Sequence, residues 1–266
     1  MLRRRHIAAG LVLTVAVASG LPGCARRGGG ATAQDPNPSS AVTGRGTVFA
    51  AASLTEALER IGGAFEAAYP GSEIVFNFGS SSSLATQIVE GNGIADVFAS
   101  ADGTTMGKVE AAGLVEGSPA TFARNRLQIV VGAGNPLDIA GLADLARPGL
   151  KVVLAAPQVP VGRYGAEALA KAGVEVEPVS LEADVKAVLT KVALGEADAG
   201  IVYATDLEAA GSTVEGVEIP DAHNVVATYP IASIRNAGNP ALATAFVEYV
   251  LSEEGRRVLL DHGFLG

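Results

Sequence analysis

From Gly46 to the C-terminus, short apolar runs alternate with segments whose apolar residues recur every three or four positions. The short runs predict β-strands, and the periodic segments predict amphipathic α-helices. Strands separated by helices are typical of parallel or mixed sheets with helices on their faces, so the sequence predicts an α/β fold. The predicted strands are residues 47–51, 73–78, 96–99, 127–131, 151–155, 199–203 and 225–234.

The helical pattern is clearest in three segments. The first runs from Leu54 to Phe65 on one apolar face, and the second carries a stripe from Val185 to Val192. Gly195 follows the second segment at a position where helices commonly end. Residues 240–260 form a further amphipathic helical region.

The N-terminal residues have the order of an export signal. Three arginines at positions 3–5 precede an apolar run at 7–17, which is too short to cross a bilayer comfortably. The run leads to Leu21-Pro22-Gly23-Cys24, which resembles a bacterial lipobox, although proline is uncommon there. We therefore predict a lipoprotein signal peptide at 1–23 and lipidation of Cys24, which would anchor the protein to the outer side of the cell membrane.

The next segment, residues 24–45, is rich in Gly, Ala, Ser and Pro and predicts a flexible tether. Loss of residues 1–23 removes three of 19 basic residues and none of 28 acidic ones, which leaves a formal charge of −12. An anionic ligand would be repelled by this charge, so local N–H dipoles and hydroxyls would have to attract it. Aromatic residues make up 5% of the chain and tryptophan is absent, which disfavours nucleic-acid binding.

About 220 residues remain for the folded part, which exceeds the usual size of one domain. The sequence marks no linker in the middle, so a second lobe would have to be inserted into the first. We predict that residues 46–125 form the first part of lobe 1, that 126–226 form lobe 2, and that 227–266 return to lobe 1.

Four predicted helix starts carry small or hydrogen-bonding residues. A helix N-terminus offers unpaired N–H donors and a partial positive charge, and therefore favours anions. Each start taken singly is explained as a helix cap, but four successive serines exceed what a cap requires. The four starts are the capping-box pattern of Ser53 and Glu56, the serine run 80–83, the segment 160–164, and Asp184 with Val185.

These segments together resemble the periplasmic molybdate-binding proteins of ABC transporters. The resemblance runs in order from Gly46 to the C-terminus and implies the two-lobed periplasmic-binding-protein fold of type II, with the ligand in the interlobe cleft. It also implies capture of molybdate, and of tungstate, for delivery to an ABC-transporter permease by a monomer. The matching segments are VFAAASL (48–54), GSSSSLATQI (79–88), ADVFASAD (95–102), PVGRY (160–164), ADV (183–185) and GIVY (200–203), with AF (245–246) and GF (263–264) at the end.

The family holds its oxyanion with hydroxyl and backbone N–H donors at five places. Carried over residue by residue, these places are Ser53, Ser81, Val161, Val185 and Tyr203, of which the two valines would use their backbone N–H. Ser80 or Ser82 could each take the place of Ser81. Without the family, Tyr203 is a core tyrosine satisfied by the backbone. The resemblance implies that the metal is held as the oxyanion, with no side-chain ligand to the metal, no cofactor and no catalytic residue.

A site made only of donors suits a fully ionised oxyanion such as molybdate or sulfate. Phosphate retains a proton at neutral pH, and turning that proton toward donors would cost ~1–3 kcal/mol. Sulfate or another small acid in the same architecture is the alternative ligand, and a purely structural lipoprotein is a further one. An enzyme is disfavoured, because His223 and His262 alone remain after export and have no metal-ligand spacing.

Other charged residues have simpler explanations. Arg126 and Arg163 could approach an anion, but surface salt bridges are expected of both. Asp96, Asp102 and Asp206 are expected to act as strand-end or capping carboxylates.

Overall fold

Two five-stranded mixed sheets organise the part of the chain that the computed structural model describes, residues 42–91 and 95–266. In the first sheet β1 pairs in parallel with β2 and β3, and β10 pairs antiparallel with β3 and β4. The spatial order of this sheet is β2 (Ser72–Gly79), β1 (Gly44–Ala51), β3 (Val97–Ala99), β10 (Ala227–Ile234) and β4 (Val115–Asn125).

The second sheet repeats this arrangement. β6 pairs in parallel with β7 and β8, and β5 pairs antiparallel with β8 and β9. Its order is β7 (Ser180–Glu182), β6 (Val152–Ala155), β8 (Ala199–Tyr203), β5 (Leu127–Gly132) and β9 (Val214–Glu218). The chain enters this sheet directly after Asn125 and leaves it between β9 and β10, so two segments connect the sheets.

Helices cover both faces of the first sheet. Successive side chains of a strand point to opposite faces, so apolar residues on both sides of β1 need a covering layer. Phe49 of β1 lies in a cluster with helix residues Leu84 and Met106, while Val48 and Ala50 belong to the larger core on the other face. The helices are α1 (Thr55–Ala68), α2 (Ser81–Val89), α3 (Gly103–Ala111), α4 (Pro160–Ala172), α5 (Val185–Ala193), α6 (Ala204–Ala210), α7 (Pro240–Leu251) and α8 (Glu253–Asp261).

The predicted α/β class and its mixed sheets are confirmed, and each predicted strand is present with ends shifted by at most three residues. The prediction missed β4, β7 and β9. All three are edge strands: β4 and β9 have several exposed residues, β7 has only three residues, and β4 also contains Gly117 and Pro119. Edge strands tolerate such residues, so the apolar signal of a buried strand is weak there.

The folded region begins earlier than predicted. Strand β1 starts at Gly44, whose N–H donates to the carbonyl of Gly71 at 2.8 Å, and Val42 is already buried. Residues 44 and 45 were assigned to the tether and belong instead to the sheet, because parallel pairing with β2 satisfies their backbone. The predicted signal peptide and Cys24 lie outside the described residues. Within those residues, no helix has the length and apolar character needed to span a membrane.

Candidate ligand-binding site

A small cavity lies where the starts of α1, α2, α4 and α5 approach the end of β8. Its volume is about 20 Å³, far below the roughly 300 Å³ at which pockets for drug-sized ligands begin. A compact group of a few atoms therefore suits it better than an organic solute. The lining residues are Ala51, Ala52, Ser53, Gly79, Ser80, Ser81, Ala101, Val159, Pro160, Val161, Asp184, Val185 and Tyr203.

Ser53 lines the cavity and lies in a short turn that was not predicted from the sequence. Residues 52–54 form a 3-10 turn, and α1 begins only at Thr55, with no side-chain cap on its first turn. The predicted capping box of Ser53 and Glu56 is therefore wrong. The Ser53 hydroxyl instead lies 3.0 Å from the hydroxyl of Tyr229, and both residues are buried.

The neighbouring residues of the serine run have different hydrogen-bond partners. Ser80 is the cap of α2 and accepts the N–H of Ser83 at 3.2 Å, and its hydroxyl also lies 3.2 Å from that of Ser82. The Ser81 hydroxyl accepts the N–H of Ala101 at 2.9 Å, and Ser81 is buried. Because Ser81 acts only as the acceptor in this bond, its hydroxyl hydrogen can be donated to a ligand. Ser82 is half-buried and does not line the cavity.

Two helices of the second sheet bring backbone donors to the cavity. Val161 is the second residue of α4 and Val185 is the first of α5, so the N–H of each lies in a first turn that lacks helical acceptors. Asp184 caps α5 by accepting the N–H of Ala187 at 2.9 Å, which confirms its predicted capping role and leaves the N–H of Val185 free of it. At Gly162 a Cβ would lie 2.2 Å from the carbonyl oxygen of Ala156, so only glycine lets α4 begin this close to the end of β6.

Tyr203 ends β8 and has a relative exposure of 1%. Its hydroxyl has no partner within normal hydrogen-bond distance among the described residues, although the Tyr229 hydroxyl is close enough to affect its pKa. Leaving a buried hydroxyl unpaired costs about 1–3 kcal/mol. Burial raises the pKa of Tyr203 well above its usual value, so the hydroxyl keeps its proton and remains a donor. The expectation of a core tyrosine satisfied by the backbone is wrong, because no carbonyl accepts this hydrogen.

The donors around the cavity are uncharged hydroxyl and N–H groups, and Asp184 is the charged residue of its described lining. The described lining contains no lysine or arginine. Arg163 instead pairs with the buried carboxylate of Asp102 and donates to the carbonyl of Gln158 at 2.6 Å. Arg126 pairs with Asp221 at 2.9 Å. Arg126 thus forms the expected surface salt bridge, whereas Arg163 pairs with a buried carboxylate and not at the surface.

The three carboxylates that are expected to be structural all accept hydrogen bonds from backbone N–H groups. Asp96 accepts the N–H groups of Thr47 and Asn239, at 2.6 and 3.0 Å. Asp102 caps α3 by accepting the N–H of Thr105. Asp206 accepts the N–H of Tyr203 at 3.2 Å and is buried at the start of α6.

Two ion pairs connect helices of the first sheet to helices of the second beside the cavity. Arg163 of α4 reaches Asp102 before α3, and Lys186 of α5 reaches Glu56 of α1 at 2.8 Å. Lys186 also lies 3.4 Å from Asp206. Burial by itself lowers the pKa of Lys186, but Asp206 and Glu56 together raise it above its usual value.

All five residues carried over from the family resemblance line this one cavity. The residues that the sequence analysis missed are Tyr229, Asn125 and Lys186, which stand behind or beside the lining. Their contacts join positions such as Ser53 and Tyr229 that are 176 residues apart, and no local pattern marks such a pair.

Comparisons with known proteins agree with this architecture. Residues 47–265 match the family model described as bacterial extracellular solute-binding protein. The chain belongs to this family. Among the solute-binding proteins it is similar to the molybdate-binding protein ModA of Mycobacterium tuberculosis, with 46% identity over 82% of this chain and 83% of the relative.

Solved structures share the fold at lower identity. The periplasmic molybdate-binding protein of Azotobacter vinelandii superposes with a TM-score of 0.71 at 22% identity, over 83% of this chain and 99% of that one. The sulfate-binding protein SubI of M. tuberculosis superposes with a TM-score of 0.75 at 20% identity, over 83% and 86%. Solute-binding proteins with different named anions thus share this fold, so the ligand must be argued from the site.

Proposed function

We propose that this solute-binding protein captures molybdate in the cavity and delivers it to the permease of an ABC transporter. The unpaired, buried hydroxyl of Tyr203 is the observation that carries the proposal. A ligand that accepts this hydrogen bond recovers the free energy that the unliganded protein loses by burying the group. The name of the M. tuberculosis relative supports molybdate as that ligand.

The proposed contacts are the hydroxyls of Ser53, Ser81 and Tyr203 and the backbone N–H groups of Val161 and Val185. These five groups donate without carrying a formal charge, and the dipoles of α2, α4 and α5 add partial positive charge at their N-termini. Hydrogen bonds to an ionised acceptor are the stronger kind. A dianion can therefore bind here although the protein is acidic overall.

The proposed lobes are 46–125 with 227–266, and 126–226. Sheet membership supports this division, since the strands of the first sheet lie in the first group, apart from residues 44 and 45 of β1, and those of the second sheet lie in the other. We propose that the lobes close on the oxyanion by a hinge at the two connecting segments. The ion pairs of Arg163 with Asp102 and Lys186 with Glu56 would then stabilise the closed form.

Further parts of the proposal concern the ligand range and the setting. Tungstate, a tetrahedral dianion like molybdate, would bind at the same place. Lipidated Cys24 would anchor a monomer to the outer side of the cell membrane through the tether. The donors serve binding, and no catalytic step is assigned to them.

A thermal-shift series with molybdate, tungstate, sulfate and phosphate tests the proposal. A ligand at about 100 times its Kd stabilises the folded protein by roughly 2.7 kcal/mol. We expect large shifts with molybdate and tungstate and a negligible one with phosphate. Negligible shifts with all four anions would refute oxyanion binding, and a shift with sulfate alone would replace molybdate by sulfate.

A further inference from the structure

A single side chain joins the two segments that connect the sheets. The first segment is the junction of Asn125 and Arg126, where β4 meets β5, and the second is residues 219–226, between β9 and β10. Asn224 lies in the second segment with a relative exposure of 8%. Its Oδ1 accepts the N–H of Leu127 at 3.0 Å, and its Nδ2 donates to the carbonyl of Leu127 at 2.9 Å. The carboxamide therefore pairs with the first residue of β5 as the main chain of a neighbouring strand would.

The same carboxamide also holds its own segment. Nδ2 donates to the carbonyl of Ile219 at 3.1 Å, and Oδ1 accepts the N–H of Val225 at 2.8 Å. A carboxamide has two donor hydrogens and two acceptor lone pairs, so all four positions are used. The two N–H groups can only donate and the two carbonyls can only accept, which fixes the orientation of the amide. Residues 219–224 are thereby bound to the second sheet, since Ile219 follows β9 and Leu127 begins β5.

In the first connecting segment, the change of lobe falls between two adjacent residues. The main chain of Asn125 pairs with Ala227 at the end of the ladder between β4 and β10. The carbonyl of Arg126 accepts the N–H of Ala204, the first residue of α6, at 3.0 Å. The side chain of Asn125 contacts the other lobe, because its Oδ1 accepts the N–H of Arg126 and its Nδ2 donates to Thr205. Bonds of this kind survive a rotation of the lobes only near its axis, where atoms move little.

In the second connecting segment, the change of lobe falls on two residues. Asn224 is bound to the second sheet by its side chain, and Ala227 begins β10 of the first sheet. Val225 and Val226 lie between them, and Val226 is 50% exposed. Hinges consist of a few loop or element-terminal residues that absorb the change in backbone dihedrals, and these two valines meet that description.

We infer that Asn224 is a positioning residue that limits the hinge of the second segment to Val225 and Val226 and thereby fixes how the lobes close. The inference rests on the proposed function, because closure brings the N–H donors of one lobe to the serine hydroxyls of the other. Without the four bonds of the carboxamide, the flexible stretch grows from two residues to residues 219–226. The unliganded lobes then have more relative positions available, and binding has to order them.

The test compares three variants with the wild-type protein. Asn224→Asp keeps the shape of the side chain but turns a carboxylate oxygen, in place of the amide nitrogen, toward the carbonyls of Leu127 and Ile219. Asn224→Ala removes the four bonds without that repulsion and keeps the test open if the aspartate variant does not fold. Asn135→Asp is the matched control, because the Asn135 amide pairs in the same way with the N–H and carbonyl of Ile139, inside the second lobe.

Three measurements are made on each protein: thermal melts, calorimetric titration with molybdate, and small-angle X-ray scattering with and without molybdate. We expect a lower Tm for every variant, since each loses hydrogen bonds. The affinity for molybdate should fall about fivefold to thirtyfold in the Asn224 variants, which is the cost of ordering one further residue, and should stay within about twofold in Asn135→Asp. The radius of gyration without ligand should be larger in the Asn224 variants, so molybdate should reduce it more than in the wild type.

Three results would overturn the inference. Wild-type affinity in a folded Asn224 variant would mean that the carboxamide only stabilises the fold. Equal losses of affinity in the Asn224 and Asn135 variants would show an effect of stability alone. A weaker affinity without a larger unliganded radius would show that Asn224 does not act through the lobes. If the wild type does not bind molybdate, the proposed function fails, and the unliganded radii alone then decide the role of Asn224.

Discussion

The ammonium group of Lys186 lies 2.8 and 3.1 Å from the two carboxylate oxygens of Glu56, which joins α5 to α1 beside the cavity. Val185, whose N–H is a proposed ligand donor, is the residue before Lys186. The ion pair therefore fixes the start of α5 against the helix that follows Ser53. Its removal should affect binding more than folding.

Lys186→Gln should weaken molybdate binding by about threefold to tenfold, since a partly exposed ion pair contributes on the order of 1 kcal/mol. Lys191→Gln is the matched control, because Lys191 lies on the same helix and pairs with Glu182 within the second sheet. Titration of both variants with molybdate compares the two ion pairs. Equal losses of affinity would show that the pair with Glu56 has no special part in binding.

Asp206 should make stability depend on pH between about 4 and 6. Burial raises its pKa from 3.8 to about 6, although Lys186 opposes the shift. The folded state therefore keeps a proton in this range that the unfolded state releases, so the contribution of Asp206 is full below pH 4 and is lost as the pH rises through 6.

Asp206→Asn removes this titration. The free energy of unfolding of the wild type relative to the variant should rise by up to about 3 kcal/mol when the pH falls from 7 to 4. Urea denaturation of both proteins across this range measures the difference. Parallel pH profiles would mean that Asp206 does not titrate with a raised pKa.

Ser53→Ala and Ser81→Ala should each lower molybdate affinity by roughly tenfold to a hundredfold, because a hydrogen bond to a charged group contributes about 1.5–3 kcal/mol. Ser83→Ala is the control, since the Ser83 side chain is exposed and its N–H is held by Ser80. Calorimetric titration gives the three affinities. Wild-type affinity in both cavity variants would place the ligand elsewhere.

Tyr203→Phe should separate binding from stability. The variant removes a buried hydroxyl without a partner, so the unliganded protein should be as stable as the wild type or more stable by about 1 kcal/mol. The same change should lower molybdate affinity by tenfold or more. Thermal melts without ligand and with saturating molybdate test both parts, and a destabilised unliganded variant would mean that the hydroxyl has a partner within the protein.

Local patterns predicted most of the architecture, because buried strands and amphipathic helices have periodic sequences. Edge strands such as Ser180–Glu182 have little apolar signal and were missed for that reason. The helix starts at Pro160 and Asp184 are visible in the sequence, since proline and aspartate are specific to first turns and caps.

The family resemblance selected the five lining residues, and local chemistry alone would not have chosen Tyr203 from other tyrosines. The capping box at Ser53 failed because a 3-10 turn shifts the start of α1, and the Ser53 hydroxyl contacts Tyr229 instead. Ion pairs between the sheets, such as Lys186 with Glu56, join residues 130 positions apart and have no sequence signature.

The central claim is that neutral hydroxyl and N–H donors in one buried cavity bind a fully ionised tetrahedral oxyanion. Calorimetric titration of the wild-type protein with molybdate and with phosphate at the same pH and ionic strength tests it most directly. The account predicts one molybdate bound per chain and phosphate bound about fivefold to 150-fold more weakly, as a misplaced proton costing ~1–3 kcal/mol requires. Equal affinities for the two anions, or no heat with molybdate, would contradict it.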